Sequence, residues 1–109
     1  MADDIKPRLR VPTTAKKGEL VEVKTLITHP METGLRKDEQ GELIPRKIIN
    51  SFTCRYNGEI VFKAELHEAV AANPYIEFHV RALESGTLDY VWEEDGGAVF
   101  TLQSALTVT

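Results

Sequence analysis

Cysteine is almost absent from this sequence. Cys54 is the only cysteine among 109 residues, so no disulfide forms within one chain, and the thiol is buried, reactive or bonded to another chain. The histidines, His29, His67 and His79, lie far apart, and none has a second ligand at helical or turn spacing. We therefore expect no metal site and no cofactor.

A net positive charge and a long apolar run are also missing. The formal net charge is -4 and the lysines and arginines are dispersed along the chain, whereas nucleic-acid binding rewards a concentrated basic surface. No apolar run approaches the roughly 20 residues that span a bilayer. The first ten residues carry charges where a signal peptide has its apolar segment. We expect no nucleic-acid partner, no membrane contact and no export signal in this chain.

Short alternating segments are what the sequence does contain. Hydrophobic residues make up 42% and charged residues 28%, as in ordinary folded domains, and we expect one domain over 1–109. Asn57-Gly58 predicts a tight hairpin, with Ile60 on the core face of the returning strand. The pattern indicates an all-β, immunoglobulin-like antiparallel β-sandwich of about seven strands. The predicted strands cover 5–11, 20–28, 48–56, 59–66, 75–82, 87–93 and 98–108.

Several apolar residues interrupt the alternation and are predicted to point away from the core. Singly they mean little, but several on one sheet would form a patch that implies a partner. The alternative is an error of register in one or two strands. The five candidate partner-binding residues of this kind are Leu26, Ile49, Val61, Val91 and Val99.

The segment 29–47 is unusually long for a connection in a small domain, and such segments are often functional. Its candidate partner-binding residues are Met31 and Arg36. The alternative is a plain hairpin, with its tip at 37–41 between arms 31–35 and 42–45, that only connects two strands.

No catalytic group of residues emerges, and we predict that the chain is not an enzyme. Cys54 falls between Phe52 and Tyr56 on the predicted core face, where a thiol is inert. A thiol-dependent enzyme remains an alternative, and it would require an exposed, reactive Cys54. The acidic run 93–95 is interpreted as a solvated loop before the Gly96-Gly97 turn.

Four segments in one order resemble the Z subunit of the SoxYZ sulfur carrier of bacterial thiosulfate oxidation. They are 24–34 (KTLITHPMETG), 44–50 (IPRKIIN), 52–54 (FTC) and 72–75 (ANPY). The resemblance covers nearly the whole chain and includes the final hairpin.

The resemblance implies a non-catalytic immunoglobulin-like subunit that forms a heterodimer with a SoxY-like subunit. In that family the Y subunit carries sulfur intermediates on a cysteine in a glycine-rich C-terminal arm, and other Sox enzymes bind transiently. This sequence has no such arm, so it is not expected to be a Y subunit. A periplasmic location, reached by co-export with Y, is implied as well. The competing hypothesis is a cytoplasmic, homodimeric β-sandwich of unrelated role.

Overall fold

The computed structural model describes residues 5–109, which form eight strands and no helix. The prediction of an all-β sandwich is therefore confirmed, and the strand beyond the predicted seven is the two-residue β2. No helix of the described part is long and apolar enough to cross a membrane. The strands are β1 Lys6–Arg10, β2 Thr14–Ala15, β3 Leu20–Thr28, β4 Ile49–Tyr56, β5 Glu59–Glu65, β6 Tyr75–Arg81, β7 Gly86–Glu94 and β8 Val99–Val108.

Two sheets face each other. One has three strands in the order β1-β3-β6, and the other has five in the order β2-β8-β7-β4-β5. All pairings are antiparallel except the short parallel contact of β2 with β8. The hairpin predicted at Asn57-Gly58 is present, and both residues have the positive φ, 50° and 88°, that a type I′ turn requires.

Aromatic rings join the two sheets at the centre of the core. Phe52 of β4 lies 5.0 Å from Trp92 of β7 and 5.9 Å from Phe78 of β6, measured between ring centroids. Phe78 also stacks on Phe62 of β5 at 4.4 Å. The period-2 alternation supplies these inward positions, because successive side chains of a strand point to opposite faces.

Two bulges shift the alternation and overturn two predictions. On β4, Ile49 opposes Glu94 while Ser51 opposes Glu93, so Asn50 is an extra residue. The shift turns Ile49 inward, and it is fully buried rather than outward as predicted. On β5, Val61 is the extra residue opposite the step from Cys54 to Arg55. Ile60 consequently pairs with Arg55 and is exposed, not in the core.

Candidate functional site

The long segment 29–47 folds back on itself as a hairpin, which is the shape that the simpler interpretation predicted. Glu32 and Lys47 exchange backbone hydrogen bonds of 3.0 and 2.7 Å, and the Ile44 N–H donates to the Arg36 carbonyl at 2.9 Å. At the tip, the Asp38 carboxylate accepts from the N–H groups of Gln40 and Glu42. These bonds give the segment a defined path away from the sandwich.

A buried pair, His29 and Glu94, lies at the base of this hairpin. The Met31 N–H donates to His29 Nδ1 at 2.8 Å, so Nδ1 is an acceptor and the proton of the neutral ring is on Nε2. Nε2 then donates to Glu94 Oε2 at 2.6 Å. Both ring nitrogens already make hydrogen bonds. His29 therefore links the hairpin to β7 and is not free to act as a general base.

A cleft of about 530 Å³ opens beside this pair, between the hairpin and the β7–β8 turn. Pro30, Ile44 and Pro45 give it an apolar side. The other carboxylate oxygen of Glu94, Oε1, lies 3.7 Å from Lys47 Nζ. Glu94 is only 4% exposed, so the prediction of a solvated acidic loop is wrong at this residue. The cleft thus offers an apolar wall and a fixed acceptor.

Arg46 fixes the other side of the cleft. Its guanidinium donates to both oxygens of Asp95, at 2.8 and 3.0 Å, and to Glu68 Oε1 at 2.8 Å. The hydrogen bonds from Arg46 hold the pKa of Asp95 below its usual 3.8, and the Asn50 amide and the Ile48 N–H add to the effect. The lining charges are largely neutralised in pairs, which suits a peptide-like ligand better than a small anion.

The two candidates within the hairpin have different surroundings. Met31 is buried, at 4% exposure, and its sulfur accepts from the Ile49 N–H at 3.3 Å. Its φ of 54° is unusual for a residue with a side chain. The buried Met31 side chain therefore links the hairpin to the start of β4, and a partner cannot contact it. Arg36 is exposed on the cleft rim and pairs with Glu32 at 2.7 Å.

The remaining candidates do not form a single surface. Val91 and Val99 lie on the outer face of the five-stranded sheet, where Val91 is half-buried and Val99 is 52% exposed. Val61 is on edge strand β5 of the same sheet, 41% exposed. Leu26 is on the outer face of the opposite sheet, beside Tyr75 and Arg8.

Cys54 is fully buried. Burial raises its pKa to about 12, and the nearby Asp89 carboxylate acts in the same direction. A thiol in this state is protonated at neutral pH and inaccessible to substrate, which argues against the thiol-dependent enzyme. Within residues 5–109, no three side chains of His, Cys, Asp or Glu are grouped so that they could hold a metal ion.

Of the residues that line the cleft, sequence reasoning singled out Arg36 but missed the buried pair at its base. His29 and Glu94 are 65 positions apart, and nothing in their local context predicts that they meet. Two signals were available: 29–47 is unusually long, and His29, Arg46 and Lys47 lie within the segments that carry the family resemblance.

A family model described as SoxZ, sulphur oxidation protein SoxZ, matches residues 9–105. No curated protein sequence matches the chain.

Solved structures share the fold at low identity. A superoxide reductase (neelaredoxin) from Ignicoccus hospitalis is 14% identical with a TM-score of 0.70, and the match covers 94% of this chain and 80% of that one. The sulfur carrier protein SoxY from Chlorobium limicola f thiosulfatophilum is 16% identical with a TM-score of 0.65, covering 94% and 78%. At such identities the likeness establishes the fold alone, and it agrees with the predicted immunoglobulin-like sandwich.

Proposed function

Because the chain belongs to the SoxZ family of sulphur oxidation proteins, we propose that it is the non-catalytic subunit of a heterodimeric sulfur carrier. Family membership implies a role in the Sox sulfur oxidation system and a partnership with SoxY. In this proposal the chain scaffolds a SoxY-like subunit, whose cysteine arm carries the sulfur intermediates. The family match over 9–105 is the observation that carries the proposal, and the buried, protonated Cys54 supports placing the sulfur chemistry on the partner.

The SoxY-like subunit docks, in this proposal, on the outer face of the five-stranded sheet. Val91 lies there between Thr53 and Thr101, its cross-strand neighbours. Val91, Thr101 and Gln103 line a shallow depression whose two charged residues, Arg55 and Asp89, are of opposite sign. Such a surface suits face-to-face packing of two sandwiches, and the SoxY structure has a sandwich of similar fold.

The cleft beside the hairpin is proposed to receive the partner's arm or an incoming Sox enzyme. An extended peptide brings backbone N–H groups that need acceptors, and Glu94 Oε1 is an acceptor held in place by the buried His29 bond. Pro30, Ile44 and Pro45 would cover the apolar side of such a segment. A periplasmic location fits the Sox system of the family, and we propose that the chain is exported together with its partner.

The docking face is tested by a matched pair of variants, Val91→Asp and Leu26→Asp. Both side chains are half-buried and sit on opposite sheets. After co-expression with the SoxY-like subunit, native mass spectrometry should detect no heterodimer for Val91→Asp and a normal one for Leu26→Asp. The reverse result would move the interface to the three-stranded sheet. A homodimer of the unaltered chain that ignores the partner would favour the competing hypothesis.

The role of the hairpin is tested by deleting residues 37–41 and closing the two arms with a short turn. The heterodimer should still form, because the tip lies outside the proposed docking face. Turnover of the carrier by its partner enzymes should fall. Full turnover with the shortened hairpin would leave the segment as a connector only.

A further inference from the structure

The outer face of the three-stranded sheet is strongly basic, although the chain as a whole is acidic. The strand alternation and pairing place five cations but only two carboxylates on this face, a net charge of +3 in a chain of -4. The cations are Lys6, Arg8, Arg10, Lys24 and Arg81, and the carboxylates are Glu22 and Glu77.

Like charges are neighbours at the β1 side of this face. Arg10 stands directly opposite Lys24 in the antiparallel pairing, an arrangement that destabilises a sheet. Lys24 itself has two carboxylates beside it, Glu22 at 3.3 Å and Glu77 directly opposite on β6. Among residues 5–109, neither Arg8 nor Arg10 has a carboxylate within salt-bridge distance. The uncompensated positive charge of this face is thus concentrated at Arg8 and Arg10.

Apolar surface lies within the same basic area. Tyr75 is 55% exposed and pairs across the strands with Leu26, which in turn pairs with Arg8. These side chains, with Arg10 and Lys24, line a groove of about 450 Å³. Arginine and tyrosine are the residues most enriched among energetically important interface positions, and a guanidinium binds a carboxylate through two parallel hydrogen bonds.

We propose that this basic groove, lined by Arg8, Arg10, Lys24, Leu26 and Tyr75, docks an acidic segment of a partner protein that also supplies an apolar side chain. Carboxylates of the partner would neutralise the arginines, and the apolar side chain would cover Leu26 and Tyr75. Because the groove combines positive charge with apolar surface, the ligand that complements it is a protein segment with carboxylates and an apolar side chain. The groove lies on the sheet opposite the face proposed for the SoxY-like subunit, so the inference does not depend on that docking face.

The test uses a fluorescein-labelled synthetic peptide rich in glutamate and leucine, and its counterpart with glutamine in place of glutamate. Fluorescence anisotropy of the full chain should detect binding of the acidic peptide, weakening as salt is added. In NMR spectra, the backbone amides whose chemical shifts change on binding should lie in β1, the middle of β3 and the start of β6. Equal binding of the glutamine peptide, or shifts confined to another face, would overturn the proposal.

The matched variants carry the same change in net charge on opposite sheets. Arg8→Glu/Arg10→Glu should weaken binding of the acidic peptide by about tenfold or more. Arg55→Glu/Lys63→Glu, on the five-stranded sheet, should change it by less than about twofold. Circular dichroism checks the fold, and Arg8→Gln/Arg10→Gln is the milder alternative if the glutamate variant unfolds. Equal weakening by both pairs would reduce the effect to net charge and contradict a specific groove.

Two other occupants are distinguished, one by competition in the anisotropy assay and one by sedimentation. Sodium sulfate that displaces the peptide more effectively than sodium chloride of equal ionic strength, with no loss on Tyr75→Ala, would indicate a small-anion site and overturn the proposal. Self-association of the chain that disappears in Arg8→Glu/Arg10→Glu, measured by sedimentation, would identify a second copy as the occupant and also overturn it.

Repulsion between Arg10 and Lys24 can be measured in the free chain. Arg10→Gln removes the repulsion opposite Lys24, so the urea midpoint of unfolding should shift to a higher concentration. A shift to a lower concentration would mean that Arg10 stabilises the free chain, and the reason for inferring a partner would be lost.

Discussion

Replacing Ile49 by alanine tests the β-bulge that turns this side chain into the core. In the structure the Ile49 side chain is fully buried, and its N–H donates to the Met31 sulfur. The simple alternation of β4 would instead point it to solvent. Removing a buried isoleucine to alanine costs about 2–5 kcal/mol, from the lost transfer free energy and the cavity that remains. A surface substitution costs about 0.5 kcal/mol or less.

The losses expected for a buried and for an exposed Ile49 therefore differ by more than about 1 kcal/mol. Urea unfolding of Ile49→Ala, followed by circular dichroism and analysed by linear extrapolation, resolves such a difference. We expect a loss of at least about 2 kcal/mol in the free energy of unfolding. For a domain of this size that corresponds to a fall of about 8 °C or more in the melting temperature. The variant should still fold, because small domains are stable by about 5–15 kcal/mol.

Val61→Ala is the matched control. Val61 belongs to the same set of apolar residues that interrupt the alternation, but it is 41% exposed on edge strand β5. We expect it to cost about 0.5 kcal/mol or less. If Ile49→Ala were as mild as Val61→Ala, the register of β4 without a bulge would be correct and Ile49 would return to the candidate interface.

Three further predictions concern buried and paired groups. Native Cys54 should react with iodoacetamide far more slowly than the urea-unfolded chain. Because its folded pKa is about 12 against an ordinary 9.0, it contributes stability below pH 9 that is lost as the pH rises towards 12, a decline that Cys54→Ala should reduce in urea titrations. His29→Ala should lower the free energy of unfolding by about 3 kcal/mol, because Glu94 loses its buried donor, whereas Glu94→Gln, which keeps an acceptor for the His29 Nε2–H, should cost less. Equal losses would mean that the negative charge of Glu94, and not only its hydrogen bond, is required. The pKa of Asp95 is lower in the folded than in the unfolded chain, so Asp95 contributes stability at pH values above its unfolded pKa, and this stability is lost as the pH falls through the folded pKa. The stability of Asp95→Asn should therefore depend less on pH in acid. An unchanged dependence would mean that the Asp95–Arg46 ion pair is unimportant in solution.

The candidate site was only partly predictable. The sequence indicated that 29–47 was unusual, and the structure makes it a hairpin beside a cleft. The sequence did not indicate that the side chains of Met31 and Glu94 would both be buried. Burial of a polar side chain depends on a partner that satisfies it, and Glu94 finds that partner in His29, from a distant part of the chain.

The sequence by itself determined the all-β class, the tight turns and the family resemblance. These depend on local properties: the period-2 alternation of side chains and the positive φ that Asn57-Gly58 adopts readily. Tertiary structure alone decided the bulges, since an extra residue in a strand is defined only against its neighbour. It also completed the basic face, because Lys24 of β3 and Arg81 of β6 join the three cations of β1 only when these strands pair. Strand pairing joins residues that are distant in sequence, and no local pattern encodes which of them will meet.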